Sequence, residues 1–230
     1  MRFRFGRETR SIGLNVNKPT RSIEVVAWGG LVCVLLAVLG SFLISNLNLR
    51  FLTGRVSLPV LSNLTAFSLT NEQGRVVTLD ELRGQVWIAD IIFTRCPGPC
   101  MTMTREMRSL QDDLAPDTGV RFLSLTADPG YDTSAVLKQY GEKYGASPAR
   151  WSFLTGTKTD LYRLATRGLL LAVEEVPSNA RESDSDLFVH STRFALVDRQ
   201  GQVRGSFDAA TPESRTKIRA AVRELLRERR

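Results

Sequence analysis

Cys96 and Cys100 stand four positions apart in the stretch FTRCPGPC, and the chain's single histidine, His190, follows much later in DLFVHSTRFALVD. Two thiols at that spacing admit a structural disulfide, a redox pair or two thiolate ligands of one metal ion. A ring this small gives a purely structural bridge little entropic benefit. The usual thiol-disulfide pair is C-x-x-C, and the extra residue here changes how the two sulfurs converge. Two thiolates held across the wider loop suit one soft ion such as Cu(I), and a single imidazole would complete a three-coordinate site. Two cysteines, a histidine and a water also describe catalytic zinc, but nothing else in the chain resembles a hydrolase site. Spacing alone leaves the redox and copper readings open.

Compartment bears on that choice. Residues 25–44, VVAWGGLVCVLLAVLGSFLI, are twenty residues without a charge, the length that crosses a hydrocarbon core, and they read as one transmembrane helix. Arg2, Arg4, Arg7, Arg10, Lys18 and Arg21 precede the run, whereas only Arg50 and Arg55 follow it closely. The positive-inside bias then puts the N-terminus in the cytoplasm and the rest of the chain outside it, as in a single-pass protein of the cell inner membrane facing the periplasm. A cleaved signal peptide is the rival, yet the run is longer than such an apolar region and no A-x-A site follows. Cys33 falls inside the run and behaves there as a small apolar residue. Cys96 and Cys100 are left as the thiols of an extracytosolic part, where oxidation is open to them.

The net charge of +7 sits at the ends, with +4 over residues 1–24 and +5 over 215–230, which leaves about −2 for everything between. No basic face suggests nucleic acid. The expected organisation is a cytoplasmic basic segment at 1–24, an anchor at 25–45, a tether at 46–60 and one domain at 61–230.

The elements that must position the thiols are legible in outline. LTAFSLTNEQGRVVTL reads as a hairpin turning at 71–74, and VWIADIIF, 86–93, is the most apolar run of the domain and suits a central strand covered on both faces. It leads straight into the cysteine loop. Met103, Met107, Leu110 and Leu114 then recur at helical spacing, so Cys100 enters the first turn of a helix, where unpaired N–H groups and the dipole favour thiolate. A strand at 120–125, a helix capped by Asp132 or Thr133, a strand in WSFLTG, a helix at 160–167, a hairpin from RFALVD to VRGSF and a closing helix carrying Ile218, Val222, Leu225 and Leu226 complete the order. His190 is expected on a loop at the domain edge, after the polar stretch PSNARESDSD. The fold class is α/β, a mixed central sheet flanked by helices, in the element order of the thioredoxin fold.

Asp90 interrupts the apolar strand six residues before Cys96. Buried there, it would have a raised pKa and could accept a proton from a thiol; the alternative is an edge aspartate paired with a base. Met103 and Met107 fit the core stripe better than a metal site, and Met101, beside Cys100, is the methionine placed to cover one. Asp128 and Asp132 in TADPGYDT read as turn and cap residues.

FTRCPGPC, TADPGYDT, FLTGTKTDL and FVHSTRFALVDRQG, in this order and at these separations, resemble the SCO/SenC family of membrane-anchored copper proteins over about residues 60–210. The resemblance implies a thioredoxin-like domain that binds copper through Cys96, Cys100 and His190. It also implies a metallochaperone role toward the copper-site subunit of cytochrome c oxidase. Some relatives are thought to act as thiol-disulfide reductases, which keeps an enzyme reading in view, with Cys96 attacking and Cys100 resolving. Either role needs the pair reduced and implies an extracytosolic thiol reductant. Family members often carry a histidine before the first cysteine, a proline after the second and an aspartate before the late histidine, where this chain has Arg95, Met101 and Val189. The missing aspartate bears on the tautomer and orientation of His190.

Overall fold

The computed structural model describes residues 21–52, 58–181 and 187–228. Two compact units are distinguished, Met1–Val56 and Ser57–Arg230. In the first, the described part is one helix, α1 (Arg21–Leu52). It carries the uncharged run, with Val25, Leu31, Leu36 and Leu39 exposed along it. The side chains at 21–24, 27 and 45–52 are outside the described set. Among the described residues no helix is long and apolar enough to cross a membrane, so the expected span at 25–44 is not established by the structure. The basic segment at 1–20, part of the tether at 53–57 and the acidic stretch at 182–186 lie outside the described residues.

The second unit begins with β1 (Ser62–Asn63) and the hairpin of β2 (Ser68–Asn71) and β3 (Val76–Thr78). Asn71 makes the turn between them: its side-chain oxygen accepts from Gln73 N at 3.0 Å and Arg75 N at 2.9 Å. Gly74 supplies the left-handed φ of +75° that the turn requires. A one-turn helix, α2 (Leu79–Leu82), is closed by a reciprocal capping box between Thr78 and Glu81. β4 (Val86–Ile92) is buried at every position, as its unbroken apolar sequence predicts.

The helix after the cysteine loop, α3 (Pro99–Asp113), has Gly98 as its cap and Pro99 in its first turn, where a fixed φ suits the helix and no N–H is missed. Its predicted stripe holds: Met103, Met107 and Leu110 are buried in the helix, and Leu114 just beyond it. β5 (Val120–Thr126), α4 (Ser134–Lys143), β6 (Trp151–Thr155) and α5 (Lys158–Arg163) follow. Thr133, not Asp132, caps α4. The helix expected at 160–167 starts two residues earlier, because Thr157 provides its cap, and widens into a π-helical turn over Leu164–Gly168.

β7 (Val173–Glu175) and β8 (Phe188–His190) form a separate two-stranded pairing. β9 (Arg193–Val197), β10 (Gln202–Asp208) and α6 (Pro212–Arg227) close the chain, as the terminal hairpin and helix predict. Asp113 at the end of α3 meets Arg219 at 3.4 Å and Arg215 at 3.7 Å on α6.

The main sheet has the order β1-β10-β9-β4-β5-β6-β2-β3. β4, β5 and β6 run parallel, and β9 and β2 flank them antiparallel. This is the mixed sheet expected from the element order. Trp87, Phe122, Trp151, Phe153 and Phe194 fill the core around the parallel strands. Each such side chain contributes about 1.5–3 kcal/mol by leaving water, so the strand that delivers the cysteine loop starts from the most rigid part of the molecule.

Candidate metal centre

β4 ends at Ile92, and within four residues the chain turns through Phe93, Thr94 and Arg95 to Cys96. The turn closes with Cys96 N donating to Phe93 O at 3.2 Å. Cys100 follows in the first turn of α3 and is wholly buried, whereas Cys96 is 8% exposed. Thr104, one turn along α3, donates its hydroxyl to the Cys100 carbonyl at 2.8 Å.

His190 arrives from the far side of the chain. It ends β8 opposite Val173, so it sits on a paired strand and not on the loop expected from its polar surroundings. Three residues of strand are too short to be read from periodicity. Phe188 and Phe93 pack edge to face with ring centres 5.2 Å apart, and the Phe93 ring meets the imidazole at 5.8 Å with the planes at 88°. These aromatics fix the position of β8 and were not singled out in the sequence, where they look like ordinary core residues.

Sγ of Cys96, Sγ of Cys100 and a ring nitrogen of His190 all lie within 4.8 Å of one another. The Cys100 sulfur is 2.9 Å from His190 Nε2. On the other side of the ring, Nδ1 is 3.0 Å from the Ser191 carbonyl oxygen. A carbonyl only accepts, so Nδ1 carries a proton and Nε2 is the ring nitrogen turned toward the sulfurs. The neighbouring backbone thus supplies the acceptor that an aspartate at position 189 would otherwise offer; Val189 is exposed. Two thiol sulfurs and an oriented imidazole nitrogen form a donor set that fits a soft ion.

The two thiols are electrostatically unequal. Cys96 is drawn down to about 4, chiefly because the Cys100 thiol donates to it. Burial opposes the shift, while His190 and the backbone N–H groups of Gly98 and Cys100 reinforce it. Cys100 is pushed far up, since it holds the shared proton, is buried, and feels the negative charges of Cys96 and Asp90. The pair therefore rests as one thiolate and one thiol.

Asp90 is fully buried on β4, and among the described residues neither of its carboxylate oxygens has a partner at hydrogen-bond geometry. Burial lifts its pKa to about 7, while Ser124, opposite it on β5, and His190 pull the other way. The reading of Asp90 as an edge residue paired with a base is thereby excluded. Met103 and Met107 are core residues, and Met101 is half-buried without lining the cleft beside the thiols. That cleft, about 540 Å³, is bounded by Phe93, Cys96, Pro97, Pro99, Phe188 and His190. Arg95 points away, its guanidinium 2.5 Å from Asp128 and 4.2 Å above the Tyr131 ring.

Three comparisons bear on this arrangement. Residues 61–227 match the family model described as SCO1/SenC. The SCO1 protein homolog of Bacillus subtilis is 33% identical over 147 residues, covering 63% of this chain and 73% of that protein. Among solved structures, BsSco is similar at 28% identity with a TM-score of 0.65, over 75% of this chain and 99% of that one. BsSco is described as a member of the Sco family of cytochrome c oxidase assembly proteins in which a disulfide switch was identified. Yeast Sco1 with copper bound is similar at 26% identity with a TM-score of 0.58, over 70% of this chain and 89% of that one. With its domain matched almost from end to end, this chain belongs to the SCO1/SenC family.

Proposed function

We propose that this chain is a copper protein of cytochrome c oxidase assembly, carrying Cu(I) as cargo on Cys96, Cys100 and His190. The observation that carries the reading is the convergence of these three donors within 4.8 Å, with the imidazole oriented by the Ser191 carbonyl. Family membership and the copper-bound yeast Sco1 support it. A low-pKa thiolate at Cys96 offers a ligand that need not lose a proton at neutral pH, and the cleft beside it gives an ion access to that sulfur. The recipient is the copper-site subunit of cytochrome c oxidase. The uncharged run at 25–44 serves as a single-pass inner-membrane anchor, with the domain at 61–230 outside the cytoplasm; the excess of basic residues before the run supports this topology.

A second reading rests on the inequality of the two thiols. The Cys96 thiolate would attack a disulfide sulfur of a target protein and release one target thiolate. The Cys100 thiol, losing its proton to Asp90, would attack the Cys96 sulfur of that mixed disulfide and release the second. Two electrons pass to the target, the Cys96–Cys100 disulfide forms, and an extracytosolic thiol reductant restores it. Asp90, buried, without a hydrogen-bond partner among the described residues and with a pKa near 7, has the properties of that proton acceptor.

Copper stoichiometry of the reduced chain, compared with His190→Ala, separates the two. The copper reading expects one Cu(I) per wild-type chain and loss of affinity in the variant. Unchanged Cu(I) affinity in His190→Ala, together with brisk reduction of insulin disulfides, leaves the thiol-disulfide reading standing alone.

A further inference from the structure

The cysteine loop leaves β4 at a point where the sheet no longer directs it, yet the Cys96 sulfur is held close to its two partners. The loop between β5 and α4, in TADPGYDT, supplies the missing constraint. Asp132 in that loop is fully buried. One of its carboxylate oxygens accepts from the Thr94 backbone N–H at 3.2 Å and from the Thr126 hydroxyl, at the end of β5, at 2.5 Å. The other accepts from the Thr94 hydroxyl. Both polar donors of Thr94, two residues before Cys96, therefore end on one side chain.

Ordinary structural roles do not account for this acid. Thr133 caps the following helix, and among the described residues no Lys or Arg pairs with the Asp132 carboxylate. A buried carboxyl without a counter-ion is costly unless hydrogen bonds satisfy it, and two of the three it receives come from the cysteine loop. On the exposed side, Arg95 reaches Asp128 at 2.5 Å and stacks on Tyr131, so the same two loops meet twice. The exposed ion pair is weak support by nature; the buried contact is the rigid one.

We propose that Asp132 is a positioning residue for the thiol pair: anchored on Thr126, it clamps both donors of Thr94 and so sets where the Cys96 sulfur stands relative to Cys100 and His190. The proposal rests on the reading that this pair does the protein's chemistry, and it holds for copper and thiol exchange alike.

The test uses the full, reduced chain with Asp132→Asn, Thr94→Val, Thr94→Ser and the double variant Asp132→Asn/Thr94→Val. Two quantities are measured: Cu(I) affinity against a chromophoric chelator, and the iodoacetamide alkylation rate of Cys96 without copper. Asp132→Asn and Thr94→Val are each expected to lower Cu(I) affinity about tenfold, as loss of a supporting hydrogen bond does, and to change the alkylation rate severalfold. Thr94→Ser keeps both donors and is expected to match wild type in both measurements. The double variant should be no worse than the poorer single one, because both act through one contact. Wild-type behaviour of Thr94→Val in both measurements, or fully additive losses in the double variant, overturns the proposal. If Asp132→Asn does not fold, the contrast between Thr94→Val and Thr94→Ser decides alone. Should wild type itself fail to retain Cu(I), the copper reading falls and the alkylation series still decides the positioning role.

Discussion

Cys100 Sγ and His190 Nε2 lie 2.9 Å apart although ninety positions separate them in the chain. The thiol is fixed by α3 and the core beneath it, whereas the imidazole hangs on a three-residue strand outside the main sheet. What holds that strand near the thiols is its pairing with β7 and the contact of Phe188 with Phe93. Phe188→Ala should therefore separate the donors without unfolding the domain. Cu(I) affinity is expected to fall about tenfold. Global stability should fall by about 1–2 kcal/mol, less than the ~3–5 kcal/mol of a fully buried phenylalanine. Chelator competition and a denaturant titration on the same samples check the two effects separately.

The inequality of the thiols has a kinetic signature. With its pKa drawn down to about 4, chiefly by donation from the Cys100 thiol, Cys96 is thiolate at any physiological pH. Its alkylation rate by iodoacetamide should be nearly flat from pH 8 to pH 5 and fall as pH drops through about 4. Cys100→Ala removes the donor and should move that fall toward neutral pH, read by mass spectrometry of quenched samples. A rate that tracks an ordinary thiol near pH 8–9 in wild type would show that the donation is not made.

Asp90 links the site to stability. Its folded pKa of about 7 stands above the ordinary value of 3.8, because burial disfavours the charge. The unfolded chain therefore ionises at lower pH than the folded one. The stability associated with the protonated carboxyl is fully present below pH 3.8 and is lost as pH rises through about 7. Asp90→Asn abolishes this dependence. In urea titrations of the metal-free chain, the variant's stability relative to wild type should rise by about 2–3 kcal/mol between pH 5 and pH 8. A constant difference across that window would mean that Asp90 ionises normally in the fold.

Met103 and Met107 lie beneath the site yet belong to the core. Exchange of each for leucine keeps volume and apolarity, so a cost below about 1.5 kcal/mol is expected from thermal unfolding. Copper stoichiometry should stay at the wild-type value. Loss of copper in either variant would make a thioether a ligand.

Much of this molecule is written locally. The unbroken apolar run of β4, the helical stripe of α3 and the turn chemistry of Asn71 and Gly74 each follow from neighbours within a few positions, and each appears in the structure where the sequence places it. The elements not legible were those too short for a period: β1, the one-turn α2 and the β7–β8 pairing, the last of which turned the expected loop around His190 into a strand. The π-helical turn after α5 likewise leaves no periodic trace.

For the site, residue type and spacing singled out Cys96 and Cys100 and left the redox and copper readings open; His190, the chain's one histidine, joined them as a ligand through the family resemblance. Whether they meet was a matter of long-range packing: β8 reaches the thiols only because Phe188 finds Phe93, and Asp132 reaches Thr94 only because β4 and β5 pair in parallel and bring their ends together. The same packing buries Asp90 and leaves it without a hydrogen-bond partner among the described residues, which no spacing rule encodes. Sequence names the donors through their chemistry, while their distances and protonation states come from contacts between segments far apart in the chain.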